Sequence, residues 1–171
     1  TQSRSSTASD VYKRQVRFHS WNISPNEAIA IQNNLREKIV FSTISNDIQH
    51  IGGTAVAFDA GKNIIHAALT ILKYPSLEVV EQNGVTQEIT FDYISGLLTF
   101  REGAPLMSLF RKTSQNIDLI VFHSHGQSHP RKFGLASHLG VLLDVPSIGV
   151  SNKMLVGLSL IHISEPTRQE A

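Results

Sequence analysis

Cysteine is absent from the 171 residues, which excludes disulfides and thiolate metal sites and leaves the redox compartment undetermined by that criterion. An excess of charge of one sign is missing too. With 15 Lys and Arg against 14 Asp and Glu, there is no polyelectrolyte signature, so any nucleic-acid surface has to be a local patch. No apolar run approaches the roughly 20 residues that a membrane-spanning helix needs, and no charged-then-apolar leader opens the chain. A non-membrane, cytoplasmic protein is the expectation. What is present is a hydrophobic content of 41%, enough for one domain with a real core in a chain too short for two.

The two ends differ in character from the middle. Residues 1–15 are polar, rich in Ser and Thr and without periodicity, and residues 158–171 follow in an unrelated register. Both read as non-native, adapter-like tails around a domain at 16–157 that stops short of its natural C-terminus. Within the domain, Ser24-Pro25-Asn26-Glu27 is a capping box with proline at the first helical position. Ala28, Ile31, Leu35 and Ile39 recur behind it at helical spacing, which predicts an amphipathic helix to about Val40. Residues 51–59, 63–73 and 77–81, the last continued by 87–93, are apolar or alternating and are broken by Gly, Pro and Asn-Gly, as strands joined by short turns are. Helical period returns at 103–113 and 133–143, with short apolar strands at 118–122 and 147–150. Antiparallel strands followed by βαβα is the order of an α/β, ribonuclease-H-like mixed sheet flanked by helices.

Four histidines, His123, His125, His129 and His138, fall within sixteen residues and begin where the apolar run Asp118-Leu-Ile-Val-Phe122 ends. In open α/β sheets the crevice beyond the carboxyl ends of the strands is the usual ligand site. The spacing is not that of a metal-binding helix, and loop histidines bonded to backbone or water account for it equally. Glu102 has two readings: a site carboxylate, or the partner of Thr99 in a capping box at a helix entrance. Asp59 shares a strand face with Ala55 and also precedes Gly61 as a turn residue does. Arg101, Arg111, Lys112, Arg131, Lys132 and Lys153 come from separate segments; gathered at one edge they form a rim for phosphates, and a scattered solvated surface is the equal alternative. Tyr93, at a strand-to-loop junction, is placed to stack on or wedge between bases, with core packing as the alternative.

The blocks IGGTAVAFD at 51–59, FDYISGLLTFREG at 91–103 and DLIVFHSHGQSHPRKFGLASHLGVLLDVPSIGV at 118–150 resemble, in order and spacing, the endonuclease V family, the deoxyinosine 3' endonucleases. The resemblance covers most of 45–157. It implies a ribonuclease-H-like, Mg²⁺-dependent hydrolase, for which Mn²⁺ is an alternative metal. Such an enzyme cuts the second phosphodiester bond on the 3' side of a deaminated base, with inosine in DNA or RNA as its partner, and is expected to act as a monomer. The base leaves the stack for a pocket of backbone groups while a tyrosine-bearing loop fills the gap, because chemistry directed by a base requires the base to be flipped out. Carried over by motif, Tyr93, Ile94 and Gly96 fall in the wedge loop with Leu98 beside it, and Ser124 and Gly126 in the pocket. His125 and His129 match family histidines, and Arg131 and Lys153 are the nearby cations.

The metal set departs from the family pattern. The family's first-strand motif has aspartate where this chain has Ala55, and its next motif has aspartate where this chain has His123. Of the catalytic positions Glu102 and His123, only Glu102 keeps a carboxylate to serve as metal ligand. Asn152 stands where lysine is usual, Asp92 and Ser95 replace two wedge-loop prolines, and a later histidine segment of the family lies past the end of this sequence. Mg²⁺ is a hard ion that needs clustered oxygens, alanine supplies none, and imidazole suits Mn²⁺ or Zn²⁺ better. The sequence therefore supports an inosine-directed endonuclease with impaired cleavage, or a binding module that keeps the pocket without the chemistry. A fragment of an intact parent is a further reading.

Overall fold

A computed structural model describes residues 19–155 apart from 42, 45, 46, 60, 153 and 154. Both tails, 1–15 and 158–171, fall outside the described residues, and so does Lys153. The order of elements is α1 (Pro25–Arg36), β1 (His50–Asp59), β2 (Ile64–Lys73), β3 (Glu78–Glu88), α2 (Leu98–Lys112), β4 (Leu119–Phe122), α3 (Leu135–Leu143) and β5 (Ser147–Gly149). Among the described residues one sheet contains the strands in the order β3-β2-β1-β4-β5. β3, β2 and β1 pair antiparallel, and β4 joins β1, and β5 joins β4, in parallel. This is the expected mixed sheet.

The period-2 pattern of β2 buries Ile65, Ala67, Leu69 and Ile71 on the face covered by α2 and leaves His66 and Ala68 exposed. Leu106 and Phe110 of α2, Ile120 and Phe122 of β4 and Leu139 of α3 complete this core. Each such side chain, fully buried, contributes about 1.5–3 kcal/mol of transfer free energy.

Three expectations change. The capping box of α1 forms as read, but the helix closes at Arg36 rather than near Val40. The Asn83-Gly84 pair does not break the third strand: both residues sit inside β3, opposite Leu69 and Ala68, because an unbroken ladder of cross-strand bonds outweighs their turn preference. Finally, α2 begins at Leu98, with Leu97 at its N-cap and no side-chain cap, so Thr99 and Glu102 lie inside the helix and make no capping box.

A second, smaller core of Ala28, Phe91, Leu97 and Phe100 is covered by Trp21, which lies on α2 at Gly103, where a Cβ would collide with its ring. His138 of α3, fully buried, sits among Trp21, Phe100, Phe133 and His19 with ring centroids 4.9–6.2 Å away. It is a core histidine whose ring partners are His19 and three aromatic side chains. His19 Nδ1 donates to the Ser20 carbonyl at 2.8 Å, so its Nε2 accepts from His138 Nε2–H at 2.8 Å. The His138 Nδ1 left over is a buried lone pair without a partner among the described residues. Burial holds His138 well below the ordinary histidine range, helped by His19, and burial lowers His19 as well against its bond to Ser20. With folded-state values depressed, acid protonates the unfolded chain first. Stability is therefore full above about pH 6.5 and falls below it by up to about 1.4 kcal/mol per pH unit for His138, and by less for the half-exposed His19, which solvent screens. Thermal melts at pH 7.5 and 5.0 should show a loss in the native chain that is reduced in His138→Leu, and an equal loss in both would remove His138 as its source.

Candidate functional site

The parallel register pairs Thr54 with Phe122, which puts the next residues, Ala55 and His123, side by side where β4 ends. α2 crosses above them. Thr54, Ala55, Glu102, Leu106, His123 and Leu135 line one cavity of about 40 Å³, room enough for a water-sized occupant. The fold thus brings together the three positions that the resemblance assigns to metal ligands. Glu102 is 8% exposed, and burial pushes its carboxyl up to about 7, against the opposing charge of Arg101.

Ala55 offers no donor, and His123 offers an imidazole. Glu102 is the single carboxylate there, and near neutrality it is partly protonated. Such a set does not fit Mg²⁺, which takes oxygen ligands in near-octahedral array. Among the described residues no group of three or more His, Cys, Asp or Glu is placed to hold a metal ion. Asp59 does not rebuild the site. It lies four residues along β1 from Ala55, about 13 Å away in an extended strand, and its carboxylate accepts from the Gly61 amide at 3.1 Å and meets Lys62 Nζ at 3.5 Å. The turn reading of Asp59 is the one the structure bears out.

Immediately after His123 the chain turns into a second, much larger cavity of about 1010 Å³, with Ser124, His125, Gly126 and Gly149 along one side and Ile39, Val40 and Phe41 along the other. Its loop is held by backbone. The His125 and Gly126 carbonyls accept from the Ala136 and Gly134 amides at 3.1 and 2.9 Å, at the start of α3. A Cβ on Gly149 would stand 2.6 Å from the Ser124 carbonyl oxygen and 2.7 Å from the Gly126 nitrogen. Gly134 and Gly149 therefore let three backbone segments meet without side chains between them. Neither had been singled out, although a glycine inside a short apolar strand signals close approach of another backbone.

The loop to which the resemblance assigns the wedge runs from Phe91 to Leu97. Tyr93 is 69% exposed at its tip, while Ile94 packs on the smaller core and Leu98 on the larger. Gly96 has φ +78°, and its carbonyl accepts from His129 Nε2 at 3.0 Å, from Gln32 Nε2 at 3.1 Å and from Arg131 Nη2. Because Nε2 of His129 must carry the hydrogen, its Nδ1 is free to accept from the Arg131 amide, at 3.2 Å. Burial lowers the His129 value and keeps the ring neutral.

The basic rim is only partly assembled. Arg131, expected on phosphate, directs Nε to Gln32 Oε1 at 2.7 Å and Nη2 to Gly96. Arg101 donates to the Phe91 carbonyl at 3.1 Å and lies 5.0 Å from the Phe58 ring centre. Arg111 and Lys112 end α2, about 14 Å along the helix from Glu102, too far to join a rim around the cavity. No helix among the described residues is long and apolar enough to cross a membrane.

The family model of Endonuclease V matches residues 33–171. Endonuclease V of Gloeobacter violaceus is 41% identical over 142 residues, 82% of this chain and 58% of its own length. The chain spans 58–63% of the length of the first such relatives. Among solved structures, Endonuclease V from Streptomyces avermitilis superposes with a TM-score of 0.74 at 34% identity, covering 78% of this chain and 60% of that one. Ciona intestinalis Endonuclease V, in complex with a 23-mer DNA containing an inosine followed by a ribo-adenosine, superposes with a TM-score of 0.73 at 26% identity, covering 86% of this chain and 68% of that one. By the match of the family model to most of its length, and by relatives at this level of identity, the chain belongs to the endonuclease V family.

Proposed function

We propose that this domain recognises a deaminated base, inosine in DNA or RNA, and that its capacity to hydrolyse the second phosphodiester bond on the 3' side is crippled. One observation carries the reading. A backbone-built pocket and an anchored wedge loop stand beside a cavity whose three metal positions retain a single carboxylate, Glu102. The pocket side supports recognition, as does the inosine-containing DNA bound by the Ciona intestinalis relative. Backbone donors and acceptors read a flipped base, and Tyr93 is exposed where a side chain filling the vacated stack has to be. The metal side supports loss of rate, since phosphodiester hydrolysis by a bound Mg²⁺ requires a ligand set that these residues do not supply. His123 favours a second reading, an active enzyme that takes Mn²⁺ in place of Mg²⁺. The domain acts as a cytoplasmic monomer in either case.

The test pairs binding with cleavage. Fluorescence anisotropy on otherwise identical inosine- and adenine-containing strands should show tighter binding to inosine, while denaturing gels show at most trace nicking in Mg²⁺. Equal binding to both strands overturns recognition. Inosine-dependent nicking in Mg²⁺ at the rate of a relative with all three carboxylates overturns the loss of cleavage, and nicking in Mn²⁺ alone establishes the second reading.

A further inference from the structure

We infer that Gln32 is a positioning residue for base discrimination: its buried carboxamide fastens the wedge loop to the loop of the base pocket, so that the two sides of the flipped-base site move as one body. The inference rests on the recognition reading above. Gln32 belongs to α1, whose Ala28 and Ile31 pack on the smaller core, and it is the buried polar side chain of that helix. Nε2 donates to the Gly96 carbonyl of the wedge loop at 3.1 Å and to the Phe133 carbonyl, at the end of the pocket loop, at 3.3 Å. Oε1 accepts from Arg131 Nε at 2.7 Å. One side chain thus uses its donors and its acceptor on segments 64, 101 and 99 residues away in sequence.

Stability alone does not call for this arrangement. A helix docks on a core with apolar residues, and a buried amide is tolerated only with its partners in place. What the carboxamide adds is direction. With φ at +78°, Gly96 is in a conformation that only glycine adopts freely, and its carbonyl is turned to meet three donors from two other segments. Tyr93 sits three residues upstream on the same loop, and Ser124 and Gly126 lie upstream of Phe133 on the pocket loop. Rigid coupling fixes the distance between the wedge and the pocket, and such pre-organisation favours the base that fills both correctly.

Gln32→Met keeps the shape and removes every polar contact, and Ala30→Gly, at an exposed position of the same helix outside both core clusters, weakens the helix without touching those contacts and serves as the control, its melting temperature measured alongside. Hydrogen exchange of the wedge-loop amides, including Leu97 N–H, bonded to the Ile94 carbonyl at 2.9 Å, reports on the coupling without any nucleic acid. Exchange there is expected to speed up at least about tenfold in Gln32→Met and not in Ala30→Gly, with the ratio of inosine to adenine affinity falling by about the same factor in Gln32→Met alone. Unchanged exchange in Gln32→Met overturns the coupling. Faster exchange with an unaltered ratio overturns the role in discrimination, as does an equal fall of the ratio in the control. If the native chain itself shows no preference for inosine, the recognition reading has failed and the role in discrimination fails with it, while the exchange result still decides the coupling.

Discussion

Replacing Ala55 and His123 together with aspartate is expected to raise inosine-dependent nicking in Mg²⁺ by on the order of 10³-fold, about 4 kcal/mol of transition-state stabilisation. The two positions are adjacent across the β1–β4 pair and share a cavity with Glu102, so the substitutions complete one set of anionic oxygens around one point. Each alone leaves the set short of a ligand, and ligands that act as a unit are strongly non-additive. Ala55→Asp and His123→Asp singly are therefore expected to gain less than about tenfold, as two ligands bind a strongly hydrated ion weakly. Nicking rates of the four proteins, measured beside their melting temperatures and inosine affinities, decide the matter. A double variant that folds and binds inosine yet stays silent would mean that the scaffold lacks more than its carboxylates.

Glu102→Gln is expected to stabilise the metal-free protein by up to about 3 kcal/mol at pH 8. Burial raises the Glu102 carboxyl from an ordinary 4.5 to about 7. Between those values the folded chain holds a proton that the unfolded chain has lost, so stability declines as pH rises from 4.5 to about 7 and is level beyond. Below pH 4.5 the carboxyl is protonated in both states and the gain from the amide vanishes. Urea unfolding at pH 4.5, 6 and 8 should show the difference between variant and native chain growing with pH. A difference that is constant across that range would show that the carboxyl is solvated in the folded state. The gain also explains what a missing ligand set costs: a buried carboxylate placed to face a cation, left without one, destabilises the fold.

Much of the fold was legible because its signals are local and repeated. The capping box and apolar stripe of α1, the alternation in β2 and the short apolar runs of β4 and β5 each state their element within a few residues. The positions around the small cavity were legible through motif order, and the sheet register then brought Ala55 and His123 together as that order implied. What was hidden depended on partners far away in sequence. Thr99 and Glu102 have the spacing of a capping box, and only the turn at Ile94–Leu97, which starts α2 at Leu98, disqualifies them. Asn83-Gly84 is a turn signal until ten residues of β2 pair through it. Arg131 presents itself as a cation for phosphate, and its guanidinium finds Gln32, 99 residues earlier. Gln32 left one trace, a polar side chain on the buried side of α1 next to Ala28 and Ile31, where an amide without partners would be costly.

The β1–β4 pairing also sets when the site comes into being. Asp118, just before β4, accepts from the amides of Gln49 and His50 at 2.8 and 2.9 Å, closing a loop that holds the whole β1–β3 meander and α2. Closing a loop of this length costs about 4 kcal/mol of chain entropy, whereas the hairpins inside it form from neighbours. Ala55 and His123 stand on opposite sides of that seam, and the pocket loop issues from its far strand. A chain that has made only its hairpins therefore has no partial site, and the small cavity waits on a pairing between residues far apart in sequence.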